Sequence, residues 1–170
     1  MENGVCSFTG HRVIAREHNE KIEELLARAI SYAYGEGVRF FLTGGAIGFD
    51  TLAAKAVISF RMTHPDVRLV LMLPCKNQSL KWNEYERSVY EYTLSVADEV
   101  EYLAEEYYDG CMKQRNARLA ERCDMLVAYV GKKIGGSAQT LRMAEKLGKR
   151  IYNLFPTLSK NNVGNSQNKS

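Results

Sequence analysis

The stretch FLTGGAIGFDTLAAKAV, residues 41–57, decides the reading of this chain. It runs apolar, passes three glycines within five residues (Gly44, Gly45 and Gly48), and opens a helical pattern at Asp50. The apolar lead reads as a buried strand. Leu52, Ala53, Ala56 and Val57, followed by Phe60, recur at helical spacing. A strand that passes into a helix through glycines brings backbone close to something, because glycine tolerates positive φ and adds no Cβ. The helix start adds unpaired N–H groups and a partial positive charge, a ready place for an anion. Asp50 complicates a purely phosphate reading, since a carboxylate repels phosphate. It suits ribose hydroxyls, an arginine partner or the helix dipole. The spacing is not GxGxxG, and tight strand–helix packing explains the motif equally well on its own.

Working outward, the same alternation repeats. GVCSFTG (residues 4–10) reads as a strand and 19–35 as a helix, with Gly35 and Gly37 suited to its end. VRFFLTG is the second strand, followed by a helix over 48–62. VRLVLMLP is the third, apolar throughout as a strand covered on both faces should be. A helix over 83–97, a short strand DEVEYL, a helix over 111–122, a strand DMLVAYV, a helix SAQTLRMAEKLGK and a last strand RIYNLF complete the chain. This predicts a single α/β domain over residues 1–156: a doubly wound, mostly parallel sheet of about six strands with helices on both faces. Residues 157–170 are rich in Asn, Ser and Lys and are expected to be a disordered tail.

Bulk properties bound the function. The 170 residues are 45% hydrophobic and 25% charged with a net charge of +3, an ordinary globular balance that permits an anionic small ligand without announcing a nucleic-acid binder. No leader segment and no membrane-length apolar run is visible, so a cytoplasmic location with no membrane partner is expected. Cys6, Cys75, Cys111 and Cys123 have no metal-like spacing with His11, His18 or His64, and reduced, mostly buried thiols are expected.

In such sheets ligands bind beyond the carboxyl ends of the strands, which directs attention to five loops. GKKIGGSAQT repeats the strand–glycine–helix arrangement with Gly135, Gly136, Ser137 and Thr140. Two such turns on one edge would converge on one cleft. SFTGHRV sends Thr9, Gly10, His11 and Arg12 to the same edge. Arginine suits anions because its planar fork meets two oxygens at once. In GCMKQRNARLAERC, Met112, Arg115 and Leu119 share a helical face, with Asn116 beside them. Arg115 therefore sits inward near the helix start and needs a partner, either a bound anion or Asp50. Trp82, just before its helix, is a candidate for stacking on a base, with Arg87 nearby for phosphate.

Taken together, FTGHR, TGGAIGFDTLAA, Trp82 followed by Arg87, GCMKQRN and GGSAQT resemble the YpsA-like branch of the SLOG superfamily, which also holds the DprA-type DNA-processing proteins and the LOG-type phosphoribohydrolases. The resemblance covers about residues 4 to 155. It implies a Rossmann-like fold and a site for a nucleotide or nucleotide-derived ligand. Gly44, Gly45, Gly48 and Asp50 would form one side of the pocket, and Arg115, Asn116, Gly135, Gly136 and Thr140 the other. LOG-type enzymes place a glutamate in the first turn of the helix after the second glycine turn. Here Leu141, Arg142 and Met143 follow Thr140, and the first carboxylate is Glu145. The expected function is therefore ligand binding or sensing. The alternatives are a nucleotide hydrolase using Asp50 or Glu145 as its acidic group, with no catalytic residue assignable, and a DprA-like single-strand DNA binder, against which the single domain and mild charge speak. No cofactor is assignable beyond such a nucleotide, and self-association through an exposed helix stays open.

Overall fold

The computed structural model describes residues 3–167, with side chains through residue 160. Six parallel strands form one sheet: β1 (Gly4–Gly10), β2 (Val38–Thr43), β3 (Arg68–Leu73), β4 (Glu99–Tyr102), β5 (Met125–Tyr129) and β6 (Arg150–Asn153). Their spatial order is β4-β3-β2-β1-β5-β6. The helices are α1 (Ile22–Gly35), α2 (Phe49–Arg61), α3 (Glu84–Val96), α4 (Cys111–Arg122), α5 (Gly136–Lys146) and α6 (Leu154–Gln167), and a short 3-10 turn spans Arg16–His18.

The order follows from right-handed crossovers. From β1 the chain steps outward through α1, α2 and α3 to β4. It then returns through α4 to β5, on the far side of β1. That return reverses the direction of winding and puts α4 and α5 on the opposite face, so β1 and β5 flank the switch point. The two faces have separate cores. Phe8, Phe41, Phe49, Val57, Leu71 and Tyr129 belong to the α1–α2 side, while Ala120, Leu126, Ala128 and Ala138 belong to the α4–α5 side. The central strands β3 and β5 are buried almost throughout, as their apolar runs predict, and β4 and β6 show the exposed positions of edge strands.

Register ties the site to the sheet. Gly10, the last residue of β1, lies opposite Tyr129, the last of β5. A Cβ on Gly10 would run into the Phe49 ring, so glycine there lets the start of α2 pack against the strand end. Asn83 caps α3 with a reciprocal capping box: its side chain accepts from the Glu86 amide at 2.8 Å while Glu86 accepts from the Asn83 amide at 3.1 Å.

The end of the domain differs from the expectation. The sixth strand stops at Asn153, and the boundary expected at residue 156 falls inside α6. Leu154 and Leu158 enter the core, Phe155 packs beside the Tyr129 ring at 5.0 Å, and Ser159 Oγ lies 3.4 Å from His18 Nε2. The polar composition beyond Thr157 hides one apolar residue at helical spacing, Leu158, that has somewhere to pack. Residues 168–170 of the expected tail lie outside the described residues. Leu158→Ala is expected to lower stability by about 2–4 kcal/mol in urea unfolding; an unchanged midpoint would show that α6 contributes nothing to the core.

Candidate functional site

The site is assembled from strand ends that the parallel sheet delivers to one edge. The first glycine bend is held by its own residues. Gly48 caps α2 at φ 87°, and a side chain there would collide with the Arg12 backbone. The Phe49 amide donates to the His11 carbonyl at 3.1 Å, which fastens the loop after β1 to the start of α2. Asp50 folds back over the bend, and its Oδ2 accepts from the Ala46 amide at 3.2 Å.

Arg115 and Asn116 join this bend to the second one. Arg115 is 5% exposed. Its Nη1 donates to the Gly44 carbonyl at 2.6 Å and its Nε to Asn116 Oδ1 at 2.9 Å. Asn116 Nδ2 donates onward to the Gly136 carbonyl at 3.3 Å. Nη2 makes no hydrogen bond among the described residues. Gly44 is glycine because a Cβ would lie 2.7 Å from the Arg115 Cζ and 3.0 Å from Asp50 Oδ2.

Burial dominates the electrostatics. It pushes the Asp50 carboxyl up to about 6, against the opposing pull of Arg115, the Ala46 amide and Arg12. Burial also lowers the Arg115 pKa, partly offset by Asp50. The two are electrostatic neighbours, yet the nearest hydrogen bonds of Arg115 go to Gly44 and Asn116.

His11 is a brace. Its Nε2 accepts from the Gly131 amide at 2.8 Å, so Nδ1 carries the proton and faces Ser137 Oγ at 3.2 Å. Burial and then Lys132 lower its pKa, which favours the neutral ring. In this tautomer the imidazole donates to Ser137 and cannot take its proton. The Ser137 hydroxyl hydrogen is left to point elsewhere at the start of α5.

A cleft of about 330 Å³ opens beside the first bend, between the loop after β1, the start of α2 and α3. Arg12, Gly45, Gly48, Asp50 and Trp82 all line it, and Trp82 packs edge-on against Tyr90 with ring centroids 5.2 Å apart. Arg115, Asn116 and the second bend lie outside this cleft, across Gly44.

Several expected site residues play other parts. Arg87 does not reach the cleft; it is exposed and its Nη2 donates to the Trp82 carbonyl at 2.9 Å. Thr140 is fully buried with its hydroxyl bonded to the Gly136 carbonyl at 2.9 Å, which makes it a packing residue of α5. Thr9 is buried within β1, and Gly10 serves the Phe49 contact. Gly135 caps α5 at φ 115° with open space around it. Glu145 is exposed in the last turn of α5. At 1.5 Å rise per residue it is roughly 13 Å from the α5 start, so it cannot supply an acid at the site. Residues not expected from sequence include Lys55, Gln78 and Tyr90. Lys55 is five residues beyond Asp50, a spacing no binding motif marks, and Tyr90 reads as ordinary helix packing.

An open, doubly wound parallel sheet carrying its polar residues at the switch-point edge defines the class of this protein. The match to the YspA SLOG family runs over residues 12–155, and the chain belongs to that family. It is 30% identical over 149 residues to a UPF0398 protein of Halalkalibacterium halodurans, an alignment that takes in 84% of this chain and 79% of that one. Among solved structures it resembles DNA processing protein A from Streptococcus pneumoniae (TM-score 0.63, 15% identity, 88% of this chain and 50% of that one). It also resembles DNA processing protein A from Helicobacter pylori, whose single-stranded DNA binding mode is described (TM-score 0.62, 16% identity, 88% and 64%). This chain thus spans half of one and under two thirds of the other, and the likeness is one of fold. No helix among the described residues is long and apolar enough to cross a membrane.

Two outcomes test this geometry. Gly44→Ala is expected to cost about 1–3 kcal/mol by forcing the buried guanidinium aside, read as a lowered urea midpoint. For Asp50, the folded-state pKa is raised, so the native state binds more protons than the unfolded chain between pH 4 and 6 and stability falls as pH rises through that window. At ~1.4 kcal/mol per pH unit, the wild type should lose on the order of 3 kcal/mol relative to Asp50→Asn between pH 4 and pH 7. Parallel pH profiles of the two proteins would contradict a buried, ionising Asp50.

Proposed function

We propose that this protein is a cytoplasmic binding or sensing module for a nucleotide or nucleotide-derived ligand laid along the carboxyl edge of the sheet. The supporting observation is the buried Arg115. It is oriented by Gly44 and Asn116 between the two glycine bends, with one guanidinium nitrogen still unspent. A buried charge held this rigidly, with donor capacity left over, suits an anion better than it serves the core alone. The amides at the start of α5 and the Ser137 hydroxyl add donors for a phosphate. Asp50 is an acceptor for ribose hydroxyls, Arg12 and Lys55 supply positive charge at the cleft, and Trp82 offers a ring face.

One observation favours an enzymatic reading. Asp50, with its pKa near 6, has the character of a general acid or base at neutral pH. Glu145 is too distant, and Glu86, which also lines the cleft, is engaged in capping α3 through the Asn83 amide, so Asp50 is the better-placed carboxylate for cleaving an N-glycosidic or phosphoester bond. Binding to single-stranded DNA, described for the H. pylori relative in fold, is the weaker reading here because the net charge is only +3.

Calorimetric titration with nucleoside monophosphates and ribose 5-phosphate tests the proposal. Saturable binding is expected, weakened about tenfold or more by Arg115→Lys, which keeps the charge but loses the fork. Binding indifferent to that change would remove Arg115 from the site. Chromatographic detection of free base or phosphate would convert the binding module into a hydrolase. Steeply salt-dependent binding of oligonucleotides, with none of mononucleotides, would favour DNA.

A further inference from the structure

Two buried polar atoms near the first bend have no hydrogen-bond partner: Gln78 Oε1 and the Tyr90 hydroxyl. Leaving such a group unmet costs about 1–3 kcal/mol, so a native structure that carries two side by side needs a reason. Both belong to the elements around the Trp82 cleft. Tyr90 lines it from α3, and Gln78 sits in the loop after β3 with its Nε2 3.5 Å from the Gly45 carbonyl. The Gln78 amide nitrogen faces the Tyr90 oxygen closely enough to oppose the rise that burial gives the Tyr90 pKa, yet Gln78 Oε1 is left without a donor and the Tyr90 hydroxyl hydrogen without an acceptor. Turning the amide over does not cure this. It would offer an oxygen to Tyr90 but set that oxygen against the Gly45 carbonyl and orphan the amide nitrogen instead.

An acceptor beside a hydroxyl that can donate is a complementary pair. What fits it is a group presenting a hydrogen-bond donor next to an acceptor. The walls around it are apolar or aromatic: Ile14, Leu52, Val89 and Trp82. We propose that this end of the cleft is the recognition subsite for a heterocyclic base, and that Gln78 and Tyr90 read its polar edge, Gln78 Oε1 accepting from a ring or exocyclic N–H and Tyr90 donating to the neighbouring acceptor. The inference rests on the nucleotide reading of the site and adds the residues that determine which ring is taken. Because the two atoms are shut off from bulk solvent, the ring must seat past the half-buried Trp82, which shifts on binding.

Trp82 is the single tryptophan of the chain, so its fluorescence reports on this subsite alone. The wild type, Tyr90→Phe and Gln78→Met are titrated with AMP, with purine riboside 5′-monophosphate (which lacks the exocyclic amine), with UMP, and with ribose 5-phosphate. Base-bearing compounds are expected to change Trp82 emission and to bind more tightly than ribose 5-phosphate. Each variant is expected to lose about fivefold to tenfold in affinity for the preferred nucleotide and nothing for ribose 5-phosphate. Thermal melting of Tyr90→Phe is expected to be unchanged or raised, since an unpaired hydroxyl is removed. If both variants bind the nucleotides as the wild type does, the orphan atoms belong to an internal water and the inference fails while the nucleotide reading survives. If ribose 5-phosphate binds as tightly as every nucleotide, the base subsite fails in the same way. If no compound binds the wild type, the nucleotide reading fails with it.

Discussion

A guanidinium cannot be taken out of water unless its N–H groups are met and its charge is balanced. Arg115 meets most of that condition with the Gly44 carbonyl, the Asn116 side chain and the nearby Asp50, and leaves Nη2 unspent. These groups come from the end of β2, from α4 itself and from the start of α2. The requirement reaches further, since Asn116 spends its amide on the Gly136 carbonyl at the start of α5. One buried cation therefore sets the relative positions of two strand–helix turns that are more than eighty residues apart in sequence. The absence of a side chain at Gly44 is what allows the approach.

Around that constraint the rim is stiffened by neutral contacts. His11 reaches both the Gly131 amide and Ser137. Beneath it, Tyr129 stacks on Phe49, packs against Phe155 and shares its hydroxyl with His18 at 2.7 Å. The aromatic group links the ends of β1 and β5 to α2 and α6, so the floor of the site is also part of the main core. The loop after β3, which carries Gln78 and Trp82, lies outside this aromatic group.

The site divides in two as a result. On one side of Gly44 lie charge and helix-start donors; on the other lies a largely apolar cleft lined by Trp82 and Tyr90. Asp50 stands between them, its ionisation made costly by burial. A carboxylate kept there against its own solvation is more informative about function than the glycines, since tight packing explains Gly10, Gly44 and Gly48 without a ligand.

The sequence by itself determined the fold class and the edge of the sheet where the polar residues gather. Apolar periodicity and glycine punctuation are local signals, and a parallel sheet sends every strand end the same way. It also determined that Arg115 would be buried near a helix start, because helical spacing puts it on the face shared with Met112 and Leu119. Tertiary structure alone decided what each of those residues touches. The local bonds of Arg87 to the Trp82 carbonyl and of Thr140 to the Gly136 carbonyl became visible only with side-chain geometry, and Asn116 as a bridge and Leu158 inside the core depend on contacts between distant segments. The pairing of Gln78 with Tyr90 is of the same kind. Neither residue carries a motif, and their shared lack of partners exists only once the loop after β3 has been laid against α3 and the first glycine bend.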